Sequence, residues 1–484
     1  MNDGDRQILT CALILFSATG VLSQIKPIEI KPIEIKPIEF KWEKAKGTIV
    51  DPLECIDAPQ QSYALYLPSS YSPDRRWPVI YAFDPNGQGE RAVEAYKGAA
   101  ETYGYIVAAS NNSRNGPMQT GLAAAEAVWS DTHRRFSIDA NRVYTTGLSG
   151  GAKAATYFAL YCYTCHVAGV IAQGAGYPEV NSSIAPANDH FAYYAVIGDD
   201  DFNFPDVMAL RRKKDEQGAQ FKVEVYPGSH QWAPPAVVED ALAWMELKAM
   251  QSGVEKVDAE FVKKMFEQTQ ADEAKVEKVG DVLGQYYTLR SVAWDFKGLE
   301  EVSSFESELT RVKASDAWKK ANRGEQEEID LQQSLTATAS SDLAQLGASE
   351  EGAQSGLADR IALEMGNLRR MEKSKGKDQI IESRAFTQIL MEGTEAGLVQ
   401  FQQGHYSVAA TYFALMAEVA PDQPGPLVLL AEARVRMGGR KQALKALKEA
   451  ARRGLKHANT LANDPELKPL ASDPEFQQIL RGLS

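Results

Sequence analysis

The chain has 484 residues, of which 44% are hydrophobic and 24% charged, and its formal net charge is −13. This composition excludes a largely disordered chain, and the length suggests about three globular domains. An acidic chain without a basic block is a poor partner for nucleic acid or for anionic lipid.

The first 23 residues are predicted to be a signal peptide. Residues 8–22 form an apolar stretch of suitable length, too short to span a bilayer, and cleavage is expected before Gln24. Asp3 and Asp5 offset Arg6, although export signals usually begin positive, so an uncleaved anchor or a misassigned start codon remains an alternative. We therefore expect an exported protein, periplasmic or secreted, with no stable membrane span after processing.

Residues 24–44 are predicted to be a linker. A Lys-Pro-Ile-Glu unit begins at Lys26, Lys31 and Lys36, and a proline every five residues forbids a helix. The alternating charges keep the segment hydrated, which is typical of an extended spacer. A motif that docks to a partner is the alternative.

Residues 45–250 alternate between strand-like and helix-like segments. In chain order, these are strand 78–84, helix 90–103, strand 105–110, helix 121–135, strand 141–146, helix 152–162, and strands 167–172, 193–197 and 221–226. Such alternation predicts a mostly parallel sheet covered by helices on both faces. In such sheets, reactive groups gather in loops beyond the carboxyl ends of the strands.

A nucleophile elbow is predicted at Gly147-Leu148-Ser149-Gly150-Gly151, which matches G-x-S-x-G between a predicted strand and an alanine-rich helix. A serine on so tight a turn has a strained backbone, and its neighbours two residues away must be small. The helix that follows presents free N–H groups to a developing negative charge. Ser149 is therefore the candidate nucleophile, and a glycine turn that only packs the helix is the alternative.

A base and an acid are expected downstream, because the α/β-hydrolase order is serine, then acid, then histidine. The strand 193–197 is followed by Gly198 and three aspartates, Asp199, Asp200 and Asp201. The strand 221–226 is followed by Pro227-Gly228-Ser229-His230. The other five histidines fall in helices, ahead of strands or in the C-terminal half, so His230 is the predicted base.

Residues 45–250 resemble the α/β-hydrolase superfamily, and most closely secreted esterases similar to polyhydroxybutyrate depolymerases and feruloyl esterases. The matching pieces are the segment 63–68, the Asp84-Pro85 loop, the segment 111–116, the elbow, and Gly198 with Asp201 and His230. The resemblance implies an α/β-hydrolase sheet without a large cap and a serine esterase with a Ser149–His230–Asp201 triad. It also implies that the acid stands three residues after the closing glycine, which selects Asp201, with Asp200 as the main competitor.

Two N–H donors are needed to stabilise an oxyanion. Gly150, the residue after the nucleophile, is one, and the loop 84–89 should supply the other. Pro85 has no N–H, so Asn86 is the predicted donor and Gly87 the alternative. Those esterases often carry His-Gly where this chain has Asp84-Pro85.

Two aromatic residues, Trp232 and Phe202, flank the predicted base and acid and are candidates for binding substrate; ordinary wall packing is the alternative. Only about sixteen residues separate the strands 167–172 and 193–197, too few for an inserted lid. An open cleft is therefore expected, suited to an extended or polymeric ester, unless the C-terminal helices cover it; the substrate is predicted to be a small-molecule or polymeric ester.

Cys162-Tyr163-Thr164-Cys165-His166 matches the CxxCH signature of covalent haem attachment. The segment links the elbow helix to a central strand, where a packed sheet leaves no room for a macrocycle. The chain has four cysteines in all, so a second pair for Zn²⁺ is lacking. We predict a buried thiol pair or a Cys162–Cys165 disulfide, and neither a cofactor nor a metal.

The C-terminal half is predicted to be helical. Residues 255–380 have helical periodicity, with a polar stretch, 336–356, predicted to be a loop. Residues 381–484 resemble tetratricopeptide repeats, because small and apolar residues recur 34 positions apart, as in Gly397 and Ala431. This region is predicted either to bind a partner or polymer, or to act as a buttress or lid. A serine peptidase and a non-catalytic adaptor are the alternatives to an esterase.

Overall fold

The computed structural model describes Trp42 and residues 44–116, 118–162, 164–178, 190–349, 351–371, 377–456 and 458–483. The predicted signal peptide and all three Lys-Pro-Ile-Glu units lie outside the described residues. Within the described chain, no helix is long and apolar enough to cross a membrane.

An eight-stranded sheet forms the N-terminal part of the molecule. Its strands are β1 Ile49–Glu54, β2 Ser62–Tyr66, β3 Trp77–Phe83, β4 Ile106–Ser110, β5 Ile138–Leu148, β6 Val167–Gln173, β7 Ala192–Gly198 and β8 Phe221–Tyr226. The spatial order is β1-β2-β4-β3-β5-β6-β7-β8. The first two pairings, β1 with β2 and β2 with β4, are antiparallel, and all the others are parallel. The carboxyl ends of β3 to β8 therefore lie at one edge.

Helices cover both faces of this sheet because its strands are apolar on both sides. Side chains alternate between the two faces, so that Tyr81 and Phe83 enter one core while Ile80 and Ala82 enter the other. The five helices are α1 Gly89–Tyr103, α2 Met118–Arg135, α3 Gly150–Tyr161, α4 Phe204–Glu216 and α5 Pro235–Gln251. Residues of α2, α3 and α4 belong to the first core, and residues of α1 and α5 to the second.

This architecture is an α/β-hydrolase sheet followed by an all-helical region, as the sequence predicts. Each predicted strand between residues 78 and 226 is present. The largest difference in strand boundaries is at β5, which begins three residues before the predicted segment 141–146. β1 is absent from the predicted elements because Asp51 and Pro52 interrupt its apolar residues and weaken the strand signal.

The helical region (residues 259–482) contains eleven helices in the described chain. They are α6 Ala259–Val279, α7 Val282–Asp295, α8 Ser303–Ala314, α9 Asp316–Leu346, α10 Glu351–Met371, α11 Lys377–Gln402, α12 Tyr406–Val419, α13 Gly425–Arg436, α14 Arg440–Arg452, α15 Ala458–Ala462 and α16 Pro474–Gly482. A 3₁₀ turn at Lys468–Leu470 precedes the last. The segment 255–380 is helical as predicted, apart from its connections.

The predicted loop 336–356 is wrong over most of its length. Residues up to Leu346 continue α9, and α10 begins at Glu351. The stretch is rich in serine and threonine, yet Ala339, Leu343 and Leu346 fall on one face of α9 and are buried in a core with α10, α11 and α12. Burial of this stripe overrides the weak helical propensity of the polar residues.

The small residues spaced 34 apart allow close helix packing. A Cβ at Gly397 on α11 would lie 2.6 Å from the Phe413 ring on α12, and Ala431 on α13 is fully buried. Helices α11 to α14 pack successively on one another. The tetratricopeptide assignment itself stays a prediction.

Contacts join the helical region to the sheet domain. Glu325 on α9 binds Arg211 and Arg212 on α4, with 2.9 Å from its Oε2 to Nη2 of Arg212. Ile329, one turn further along α9, is buried in the core that lies against α2, α3 and α4. The two parts of the chain therefore share a hydrophobic core as well as ion pairs.

The stability of the helical region should depend on pH through Glu432 on α13. Burial, followed by the nearby carboxylates of Asp464 and Glu466, raises the pKa of Glu432 from its usual 4.5 to about 8. The folded protein then keeps a proton that the unfolded chain releases, so stability should fall as the pH rises from about 4.5 to about 8. Glu432→Gln should flatten this dependence in urea unfolding across that range. An unchanged slope would contradict the expectation.

Candidate active site

The turn between β5 and α3 has the geometry that G-x-S-x-G predicts. Ser149 adopts φ 56° and ψ −125°, a conformation that is strained for a residue with a Cβ. A Cβ at Gly147 would lie 2.3 Å from the carbonyl of Gly151, and a Cβ at Gly151 would lie 2.0 Å from the Phe83 oxygen on β3. Both glycines are therefore required for α3 to start so close to the sheet.

His230 and Asp201 form a hydrogen-bonded pair at the carboxyl edge of the sheet. Nδ1 of His230 lies 2.9 Å and 3.0 Å from the two carboxylate oxygens of Asp201. A carboxylate only accepts hydrogen bonds, so Nδ1 donates and Nε2 is left as the acceptor. Asp201 is fully buried, and its Oδ1 also accepts the N–H of Asn203 at 2.9 Å.

The three adjacent aspartates have different partners, which separates their roles. Oδ1 of Asp199 accepts a hydrogen bond at 2.9 Å from the backbone N–H of Gly228, which lies in the loop between β8 and His230. Asp200 points to the helical region and accepts a hydrogen bond from Ser383, and burial raises its pKa. Only Asp201 of the three bonds the imidazole. Asp200, the competing candidate for the acid, is thus directed elsewhere.

The turn after β6 brings the elbow and the His230–Asp201 pair together. The backbone N–H of Ser149 donates to the main-chain carbonyl oxygen of Gln173 at 2.9 Å. At the next residue, Gly174, a Cβ would lie 3.0 Å from Oδ2 of Asp201 and 3.1 Å from the His230 ring. Gly174 has φ +60°, so glycine suits both its conformation and this close approach. The predicted nucleophile and the acid–base pair therefore contact two consecutive residues.

The predicted oxyanion donors differ in their availability. Gly150 is the first residue of α3, where backbone N–H groups have no acceptor within the helix. The backbone N–H of Asn86 instead donates to the side-chain Oδ1 of Asp84 at 2.8 Å. The backbone N–H of Gly87 donates to the main-chain carbonyl oxygen of Asp84 at 3.2 Å. The loop geometry argues against Asn86, and against its alternative Gly87, as the second donor in this conformation.

Trp232 is held inside the protein. It is 8% exposed, its Nε1 donates to Oδ2 of the buried Asp84 at 2.9 Å, and its ring packs edge-on against Tyr96. This burial argues against the prediction that Trp232 stacks on substrate, and favours a structural role for it in fixing the loop 84–89. Phe202 is half-buried with its ring centroid 4.4 Å from that of His230, so it remains a candidate wall of the site.

Helix α11 contributes side chains to this edge of the sheet that the sequence did not predict. Oε1 of Glu395 accepts a hydrogen bond from Nδ2 of Asn115 at 3.0 Å. Asn115 in turn covers Gly150, since a Cβ there would lie 2.1 Å from its Oδ1. Glu395 is exposed as a whole residue, but partial burial of its carboxyl group raises its pKa, against the opposing charges of Lys153 and His230. No sequence motif marks Glu395, although Asn115 belongs to the segment 111–116 that carries the family resemblance.

The CxxCH segment lies at the other edge of the sheet. Cys162 and Cys165 form a disulfide, as one of the two sequence alternatives predicts, and both are buried between α3 and β6. His166 is exposed at the amino end of β6, whereas the elbow lies at the carboxyl end of β5, on the opposite edge of the sheet. Among the described residues, no group of three His, Cys, Asp or Glu side chains is arranged to hold a metal.

Comparisons with known proteins give partial structural likeness alone. No family model matches the sequence, and no curated protein matches it. A thermostable esterase is 18% identical over 40% of this chain, with a TM-score of 0.31, and the match spans 61% of that esterase. An S-formylglutathione hydrolase from Staphylococcus aureus is 14% identical over 42% of this chain, with a TM-score of 0.34, and the match spans 99% of that hydrolase. A ferulic acid esterase is 17% identical over 41% of this chain, with a TM-score of 0.32, and the match spans 96% of that esterase. Likeness at this level supports no conclusion about activity.

Proposed function

We propose that the protein is a serine hydrolase that cleaves carboxylic esters, with Ser149 as nucleophile, His230 as base and Asp201 as the orienting acid. The observation that carries the proposal is the bond between His230 Nδ1 and the buried Asp201 carboxylate, beside a serine on a strained strand-to-helix turn. Neither the fold nor the G-x-S-x-G pattern alone requires this combination.

The reaction would proceed through an acyl-enzyme. Ser149 Oγ attacks the ester carbonyl while its proton passes to Nε2 of His230, and Asp201 stabilises the resulting imidazolium. The imidazolium then gives the proton to the departing alkoxide, which leaves as an alcohol. Water then attacks the acyl-enzyme while its proton passes to Nε2 of His230. The imidazolium returns this proton to Ser149 Oγ as the acyl bond breaks, which releases the carboxylic acid and the free serine.

The Gly150 N–H at the start of α3 is the first donor for the oxyanion in this proposal. Asn86 could supply the second only if its bond to Asp84 opened when substrate binds. The side-chain amide of Asn115 lies directly over Gly150 and is bonded to Glu395.

We also propose that the protein is exported. The Cys162–Cys165 disulfide supports this, because disulfides persist in oxidising compartments and are rare in the cytosol. The apolar leader at residues 8–22 supports the same location.

Labelling with a fluorophosphonate probe tests the proposed nucleophile. We expect one covalent adduct per chain, mapped by peptide mass spectrometry to Ser149, and its loss in Ser149→Ala and His230→Ala. Ser130→Ala, in α2, is a matched serine control that should label like the wild type. Absence of labelling in folded protein would contradict the proposal and favour a non-catalytic adaptor. Aryl esters, hydroxyalkanoate oligomers and peptide amides would then distinguish an esterase from a peptidase.

A further inference from the structure

The loop that carries the proposed acid is held from outside the sheet domain. We call residues 199–204 the acid loop. The backbone N–H groups of its first three residues donate to main-chain carbonyl oxygens of the sheet domain, those of Tyr226, Gly228 and Gly198. Two of its carbonyl groups, those of Asp199 and Phe202, instead accept hydrogen bonds from the helical region.

Arg384 on α11 makes the most extensive of these contacts. Its Nε donates to the Asp199 oxygen at 2.7 Å, and its Nη2 donates to the same oxygen. The guanidinium also lies 3.8 Å over the ring centroid of Phe204. Arg384 therefore grips the acid loop on both sides of Asp201. A planar guanidinium suits such a two-sided contact, which a lysine ammonium cannot reproduce.

Charge and burial explain why this arginine is tolerated inside the protein. Arg384 is 6% exposed, and burial of a cation is costly unless negative groups surround it. The carboxylates of Asp200, Glu328, Asp199 and Asp201 all stabilise its charge. Ser383 on α11 and Gln332 on α9 add bonds to Asp200 and to the Phe202 oxygen, the latter at 2.9 Å.

Helix α11 also crosses the sheet edge from the acid loop to the loop that follows β4. Arg384 lies at the end of β7, whereas Glu395 contacts Asn115, and Gln402 lies over Gly116, beyond the end of β4. Four strand spacings, about 19 Å, separate β7 from β4, and the eleven residues from Arg384 to Glu395 rise about 17 Å. The helix therefore passes over the ends of β6, β5 and β3, and the elbow directly follows β5.

From these contacts we propose that the helical region is part of the catalytic apparatus, with Arg384 as a positioning residue that fixes the acid loop and so orients His230 through Asp201. The inference rests on the proposed function. It assigns the helices a role in the reaction, rather than in docking a partner. Since Arg384 touches neither substrate nor the reacting atoms, its effect should be on turnover and not on substrate affinity.

Kinetics of Arg384 variants test this inference with a small soluble aryl ester. Arg384→Gln should lower kcat by about 100-fold, the order of loss expected for a misplacement of about 1 Å at a reacting group, while KM changes little. The pH–rate profile should also differ from that of the wild type, because both the position of Asp201 and the local charge change. Arg384→Lys should recover part of kcat by keeping the charge among Asp199, Asp200, Asp201 and Glu328.

Arg212→Gln is the matched control. It also removes an arginine that joins the two regions, through Glu325, but it does not touch the acid loop. We expect wild-type kcat and an unchanged pH profile. Addition of guanidinium ion at low concentration to Arg384→Ala should restore part of kcat, which a merely structural loss would not show. If Arg384→Ala does not fold, Gln332→Met should still lower kcat, since it removes the bond to the Phe202 oxygen.

Equal kcat in Arg384→Gln and Arg212→Gln would overturn the inference, as would a rise in KM alone with an unchanged pH profile. Fluorophosphonate labelling of Ser149 in the wild type separates this result from failure of the proposed function. A labelled wild type with insensitive Arg384 variants rejects the positioning role alone. An unlabelled wild type rejects both.

Discussion

Asp201→Asn is expected to lower kcat for ester hydrolysis by about 10⁴-fold while the fold is retained. The asparagine amide would donate where the carboxylate accepts, so His230 would turn Nδ1 into the acceptor and carry its proton on Nε2. That tautomer cannot take the Ser149 proton. Steady-state kinetics, with circular dichroism to verify folding, measure the effect.

Asp199→Asn and Asp200→Asn are matched controls within the same run of aspartates. In the first variant, the side-chain oxygen of the new amide can still accept the Gly228 N–H. In the second variant, the amide oxygen can still accept the hydrogen bond from Ser383. Both variants should therefore lower kcat far less than Asp201→Asn does. A loss at position 200 as large as at position 201 would contradict the assignment of Asp201 as the acid.

Gly151→Ala is expected to have the largest effect on stability. The added Cβ would lie 2.0 Å from the Phe83 oxygen and 2.8 Å from the Phe83 carbonyl carbon. Since both are backbone atoms in the centre of the sheet, neither can move aside without shifting β3 or α3. We expect a loss of about 3 kcal/mol or more in the free energy of unfolding, measured by urea denaturation.

Gly98→Ala is the control for this substitution. Gly98 lies in the middle of α1, and a Cβ there meets nothing within 4 Å. Alanine should raise stability by up to about 1 kcal/mol, through its higher helix propensity. A Gly151→Ala variant that unfolds at the wild-type urea concentration would show that α3 can move away from the sheet.

The sheet and the elbow were predictable because short-range patterns determine them. The buried parallel strands are continuous apolar runs, and the glycines around Ser149 are needed by contacts within a few residues or with the neighbouring strand. The prediction of His230 as the base depends on its place after a strand and on elimination of the other histidines. Among the three aspartates, the sequence favoured Asp201 only by resemblance, and the hydrogen bonds of each side chain distinguish them.

Other features depended on contacts that sequence patterns do not record. Its position beside His230 makes Trp232 a candidate for binding substrate, with wall packing as the alternative. Its indole pairs with Asp84, which lies far away in the chain, and this contact favours wall packing. The bond from Asn86 to Asp84 was more accessible to prediction, since Asp-Pro-Asn-Gly is a typical sequence for a turn in which the aspartate accepts nearby N–H groups. Recognising that turn would have excluded a free Asn86 N–H.

The covering of the site by α11 could not have been predicted from periodicity. Helical patterns place Arg384, Glu395 and Gln402 on a helix, but not on the part of the sheet that this helix crosses. The short segment between β6 and β7 predicts an open cleft, and coverage by the C-terminal helices is the alternative. The contacts of Arg384 with the acid loop and of Glu395 with Asn115 favour that alternative.

The late position of α11 in the chain has a consequence for biosynthesis. Protein domains fold as units while the ribosome is still working, and the sheet domain is complete at Gln251, well before Lys377 emerges. A nascent sheet would contain Ser149, His230 and Asp201 without the arginine that steadies the acid loop. On this basis, full hydrolytic activity would be reached only after α11 has been synthesised and has docked on the acid loop, when most of the chain has been translated.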